Sequence, residues 1–236
     1  MPRQLLIIPG WGGTIESWQN FSILAQKDFQ VICLELPCFG KELCPKEIWG
    51  VEDYANFVKL KIKNLNLIKP VLMGHSFGGQ VAAYLAANEP QLVSRLILSG
   101  AAAIRPERNL KRLGFNIIAK TGKIFFSLPL IKNLSAPARK YLYKLADSPD
   151  YGAANGIKRE IYKKVIRQDL TEDLKKIKTP TLIIWGVKDS YVPLSSGKKI
   201  AKLISNSRLE IIPEGKHGLH LQMPEKLYSI VKNFLE

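Results

Sequence analysis

Pro70-Val71-Leu72-Met73-Gly74-His75-Ser76-Phe77-Gly78-Gly79-Gln80-Val81-Ala82-Ala83 joins an apolar, strand-like run to an alanine-rich helical one through a turn with a serine at its apex. A tight strand-to-helix turn holds its central residue in a sparsely populated backbone conformation, at a cost of roughly 1–3 kcal/mol. Gly74 and Gly78, with Gly79, make that tolerable because they have no Cβ to collide across the turn. The Ser76 hydroxyl is pushed out at the carboxyl end of the strand, where the helix N-terminus offers the Phe77 N–H to an anion. The plainer alternative is a Gly-Ser turn that merely joins strand to helix. What separates the two is whether the chain supplies this serine with a base.

It offers three histidines, His75, His217 and His220. His75 is the serine's own neighbour, so its side chain leaves the turn in another direction. His217 lies in the loop Gly215-Lys216-His217-Gly218, shortly after the apolar run Leu209-Glu210-Ile211-Ile212. His220 stands between Leu219 and Leu221 and reads as a residue packed at the start of the last helix. His217 is therefore the preferred base. An acid must fix its tautomer, and should come from another strand end between serine and histidine in chain order. Asp189 follows the run Thr181-Leu182-Ile183-Ile184-Trp185-Gly186 and precedes His217 by 28 residues. Asp is also a favoured helix cap, but Pro193-Leu194-Ser195 gives the next helix its own start.

Strand-like runs at 4–8, 29–34, 70–73, 95–99, 181–185 and 208–212 alternate with helical patterns at 14–26, 51–64, 77–88, 195–205 and 224–235. Such alternation predicts an α/β protein with a mostly parallel sheet of about six strands and helices on both faces. Ligands of such sheets bind beyond the carboxyl ends of the strands, where Ser76, Asp189 and His217 all fall. The alternation stops between 104 and 178. That stretch reads as helices at 106–121, 124–134, 137–146, 153–168 and 172–176, which leaves a core of 1–103 plus 179–236.

With serine, acid and histidine in this order, the chain resembles an α/β-hydrolase over nearly its whole length. In that resemblance Ser76 is the nucleophile, and Gly74 and Gly78 are the glycines of its elbow. Leu5-Leu6-Ile7-Ile8-Pro9-Gly10-Trp11-Gly12-Gly13 resembles the strand and loop that supply the family's other oxyanion-hole N–H, which would be that of Trp11 beside Phe77. Pro9-Gly10 stands where many members have His-Gly, a change that leaves the main-chain donor in place. Members often place a proline and a helix after the catalytic histidine, as Pro224-Glu225 does here. They usually carry a strand hairpin ahead of the oxyanion strand. Here that strand starts at about residue 4, so the run 29–34 is expected at a sheet edge.

By the same resemblance, 104–178 is a helical cap over the active site, where substrate choice is made. The resemblance implies a serine esterase that cleaves a small-molecule carboxylic ester through an acyl-enzyme. Thioester hydrolysis, acyl transfer and carbon–carbon cleavage of diketones run on the same triad. A serine nucleophile separates the chain from dehalogenases and epoxide hydrolases of similar fold, which use a carboxylate. The start Leu6-Ile7-Ile8-Pro9-Gly10-Trp11-Gly12 is similar to esterases that demethylate a pimeloyl-carrier-protein methyl ester. Some members of the fold bind ligands without catalysis; Ser76, Asp189 and His217 together speak against that reading.

Composition bounds the remaining classes. At 236 residues and 46% apolar, the chain is sized for one domain with an insertion and is too apolar for disorder. No apolar run reaches the ~20 residues of a membrane span, and Met1-Pro2-Arg3-Gln4 leads into a strand without a signal-peptide pattern. A cytoplasmic location is expected. Cys33, Cys38 and Cys44, spaced by five and six residues, suggest neither a metal site nor a disulfide framework. The glycines match no dinucleotide or phosphate-binding pattern, so no cofactor is expected. Residues 104–178 hold 18 Lys/Arg and 7 Asp/Glu, a net +11 of the chain's +15. That charge is either a solvated face or a landing surface for an acidic partner. An acyl carrier protein, a carboxylate-bearing substrate or an anionic membrane surface would qualify. No motif accompanies the charge that would point to nucleic acid.

Overall fold

The computed structural model describes residues 2–105 and 155–236; the helices expected at 106–121, 124–134 and 137–146 lie outside the described residues. Six strands form one sheet: β1 (Arg3–Ile8), β2 (Phe29–Cys33), β3 (Val71–His75), β4 (Arg95–Ser99), β5 (Thr181–Gly186) and β6 (Ser207–Ile212). Their order is β2-β1-β3-β4-β5-β6, and every neighbouring pair is parallel. All carboxyl ends therefore open on the same side. Among the described residues β2 is an edge strand.

The helices are α1 (Gln19–Ala25), α2 (Val51–Asn64), α3 (Phe77–Asn88), α4 (Gly156–Val165), α5 (Thr171–Lys176), α6 (Leu194–Leu203), α7 (Leu219–Gln222) and α8 (Pro224–Leu235). Successive side chains of a strand leave on opposite faces. Leu6, Ile8, Leu72, Leu98 and Ile183 thus pack one face with Tyr54 and Val58 of α2, Val81 and Leu85 of α3 and Ile200 of α6. Leu5, Ile7, Met73, Ile97 and Ile184 pack the other with Phe21 of α1 and Leu227 and Val231 of α8. Burial on both faces is why the strands read as continuous apolar runs. No helix among the described residues is long and apolar enough to cross a membrane.

Two expectations need correcting. The helix expected at 14–26 is a 3₁₀ turn, Glu16–Trp18, followed by α1. Ser17 is the reason: its hydroxyl donates to Thr14 O at 2.6 Å and accepts from Thr14 N at 3.2 Å, competing with the helical ladder. The cysteines are also not all unpaired, since Cys38 and Cys44 form a disulfide. Bonds from Phe39 N to Leu36 O (2.9 Å) and Glu42 N to Phe39 O (3.2 Å) turn the chain back on itself, and Cys38 has a φ of 75°. That pairing depends on turns which the spacing does not encode. Cys33 is free, and burial, then Glu35 and Glu16, push its thiol up to about 12, so it carries little thiolate at neutral pH.

The start of α3 lies close against the end of β1. A Cβ on Gly78 would lie 2.1 Å from Ile8 O and 2.3 Å from Pro9 O, and one on Gly74 would lie 2.4 Å from Gly78 O. Backbone cannot give way as a side chain can. Gly78→Ala is expected to lose at least the ~1–3 kcal/mol of an overpacked core, read as a lower denaturant midpoint. At Gly218 the added methyl would meet nothing closer than 3.6 Å, so Gly218→Ala should unfold near the wild-type midpoint.

Candidate active site

Ser76 stands between β3 and α3 with φ 50° and ψ −115°, a backbone conformation that residues with a Cβ rarely adopt. Its main chain is held from three directions. Ser76 N donates to Ser99 O at 3.1 Å, and Ser76 O accepts from Gln80 N at 3.2 Å and Ala102 N at 3.0 Å. Phe77 opens α3, where the first N–H groups have no acceptor within the helix. The loop after β1 lies against this turn: a Cβ on Gly10 would be 3.1 Å from Ser76 Cβ. Trp11 follows, with its ring edge-on to Phe39 (4.8 Å), Phe77 (5.5 Å) and Tyr162 of α4 (4.9 Å).

Asp189, in the loop after β5, has a side chain only 1% exposed. Its Oδ2 lies 2.8 Å from Nδ1 of His217, in the loop after β6. Its Oδ1 accepts the N–H groups of Tyr191 (2.9 Å) and Val192 (2.8 Å). The carboxylate thus caps a turn of its own loop with one oxygen and holds the imidazole with the other. Tyr191 stacks on the His217 ring, centroids 5.0 Å apart at 24°. With Nδ1–H given to the carboxylate, Nε2 is the ring nitrogen free to take a proton.

Sequence reasoning set aside two residues that the fold brings to this site. The ring of His75 lies 4.7 Å from that of His217 and 4.7 Å from that of His220, and His220 stacks on Trp18 at 4.1 Å. The chain's three histidines form one cluster. A signal was present: a chain with so few histidines places one of them beside the turn serine and another three residues from His217. Burial, then the neighbouring His220 and His217, holds His75 well below the ordinary histidine range. Burial, then His217, brings His220 down to about 4. Among the described residues no group of three or more His, Cys, Asp or Glu is placed to hold a metal ion.

The chain matches, over residues 4–224, the family described as alpha/beta hydrolase fold, and it belongs to that family. By family it is a hydrolase. It is 29% identical to the uncharacterized hydrolase YugF of Bacillus subtilis, over 99% of this chain and 90% of that protein. It is 24% identical to a 2-hydroxy-6-oxononadienedioate/2-hydroxy-6-oxononatrienedioate hydrolase of Escherichia coli, over 98% of this chain and 86% of the relative. Among solved structures, a membrane phospholipase A described as a bacterial virulence factor is 25% identical, with a TM-score of 0.77 over 99% of this chain and 78% of that one. A hydrolase of Pseudomonas aeruginosa, 21% identical with a TM-score of 0.74, shares the fold over 99% of this chain and 90% of its own.

The depressed histidines make the stability of the fold depend on pH. An unfolded histidine binds its proton near pH 6.5, whereas folded His220 does so only near pH 4. Between these values the unfolded state holds more protons, so this contribution is complete above pH 6.5 and is lost as the pH falls toward 4, by roughly 3 kcal/mol. His75 acts in the same direction. His220→Phe keeps a ring on Trp18 but cannot titrate. Its melting temperature should fall less between pH 7 and 4.5 than the wild type's, and parallel curves would contradict the assignment.

Proposed function

We propose that the protein is a serine hydrolase of carboxylic esters, with Ser76 as nucleophile, His217 as general base and Asp189 as the group that fixes the His217 tautomer. The observation that carries this reading is the 2.8 Å Asp189–His217 hydrogen bond, at the carboxyl end of the sheet where Ser76 stands at φ 50°. Ser76 Oγ attacks the acyl carbon as His217 Nε2 takes its proton, and Asp189 stabilises the imidazolium. The N–H groups of Trp11 and Phe77 meet the charge developing on the acyl oxygen, a contribution of ~3–4 kcal/mol for one such donor. The tetrahedral intermediate expels the alcohol, protonated by His217. Water, deprotonated by the same nitrogen, then attacks the acyl-enzyme, and the acid leaves as Ser76 recovers its proton.

The likeness to a phospholipase A supports an ester as the substrate. The Escherichia coli relative supports a second reading, because the substrate in its name has no ester and its hydrolysis breaks a carbon–carbon bond. A panel of p-nitrophenyl esters of graded chain length, run beside a 2-hydroxy-6-oxo dienoic acid, separates the two. Turnover of the dienoic acid with every ester untouched would move the reading to carbon–carbon hydrolysis.

Ser76→Ala is expected to abolish turnover and fluorophosphonate labelling while leaving the fold intact. Asp189→Asn should cost about 10⁴ in kcat by favouring the wrong His217 tautomer, as the same change does in a serine protease. His217→Ala should be nearly inactive. Labelling that survives in Ser76→Ala would overturn the mechanism.

A further inference from the structure

We propose that His75, the residue directly ahead of the nucleophile, is a positioning residue that sets His217 on Ser76 by donating a hydrogen bond from its imidazole to the His217 main-chain carbonyl. The proposal rests on the reading of His217 as the base. His75 Nε2 lies 3.0 Å from His217 O. A carbonyl can only accept, so Nε2 carries the proton and the ring is the Nε2–H tautomer. Burial keeps that ring neutral.

The topology says why such a bond matters. In the sheet order, β4 and β5 stand between β3, which ends at His75, and β6, which feeds the His217 loop. No backbone ladder joins the two directly, and His217 lies in the loop beyond the end of β6, so strand register alone does not set it against Ser76. The other contacts that hold the imidazole, from Asp189 to Nδ1 and from the face of Tyr191, both come from the loop after β5. They hold the ring, and neither holds the His217 main chain that carries it. His75 adds a hold from the nucleophile's own strand, one peptide unit from Ser76. Its ring is in turn backed by His220, 4.7 Å away and stacked on Trp18. The residue therefore couples nucleophile to base through the His217 main chain.

A buried histidine that only supports the fold would lose stability on substitution without a specific loss of chemistry, and the test separates these cases. His75→Gln places an amide N–H at about the reach of Nε2, whereas His75→Leu fills the space without a donor. In ester hydrolysis, His75→Leu is expected to lower kcat by about 10–100-fold with KM nearly unchanged, the scale of effect that a 1 Å misplacement brings. The fluorophosphonate labelling rate should fall by the same factor, and His75→Gln should recover most of both. Melting temperatures measured in parallel show whether each variant is folded. If His75→Leu does not fold, His75→Asn, whose amide is too short to reach the carbonyl, replaces it in the comparison with Gln.

Folded donor-less variants with turnover within twofold of wild type would overturn the proposal. So would a loss shared equally by Gln and Leu, because the hydrogen bond would then not be what matters. Ser76→Ala in the same assay marks which idea has failed. If it is inactive while the His75 variants are unaffected, only the positioning role falls. If it retains activity, the mechanism falls and the positioning role with it.

Discussion

Ser76 can hold φ 50° only because three other segments grip its backbone. The bonds from Ser76 N to Ser99 O and from Gln80 N and Ala102 N to Ser76 O each contribute about 0.5–1.5 kcal/mol net. Together they are of the same size as the roughly 1–3 kcal/mol that the conformation costs. The end of β4, the segment after it and the first turn of α3 must all be in place before the turn is stable. This also explains why the space around it is so tight. Gly78 lies almost in contact with the main chain at the end of β1, so α3 cannot slide to relieve the strain.

From that fixed point the parallel sheet arranges the rest. β3, β4, β5 and β6 are consecutive neighbours with carboxyl ends on one side, so the loops carrying Asp189 and His217 follow one another along that edge. In the proposed mechanism His217 becomes a cation next to two other imidazoles. A second positive charge 4.7 Å away would oppose it by ~3–4 kcal/mol at an effective dielectric near 20. The burial that holds His75 and His220 neutral is therefore a condition for using His217 as a base, not only a packing detail.

The strands and the serine turn were legible because their signals are local. An apolar run of strand length, a glycine on either side of a serine and an alanine-rich helix each state their own geometry. Asp189 and His217, read from chain order and strand ends, lie within one hydrogen bond of each other. What escaped depends on side chains or segments that meet only after folding. Ser17 breaks the first helix through a bond to Thr14, and the turns after β2 close the Cys38–Cys44 disulfide. The partner of His75 is a carbonyl 142 residues distant, which no periodicity encodes.

The basic segment takes a different meaning once α4 is in view. Lys164 lies 3.5 Å from Glu52 and 3.7 Å from Asp53, and it donates to Ile48 O. Lys158 donates to Cys38 O and stands over the Phe39 ring. Gln168 accepts from Val51 N, at the start of α2, and donates to Glu52. These groups fasten α4 and the residues after it to α2 and to the disulfide loop, so part of the positive charge is used inside the molecule. Partly exposed ion pairs contribute little each, about 0–1 kcal/mol. The attachment therefore depends more on what α4 buries, Ile161 and Val165, and on Tyr162 against Trp11. Trp11 is one of the two proposed oxyanion donors. One of the contacts that seat α4 therefore falls on the same residue whose main-chain N–H the proposed mechanism uses.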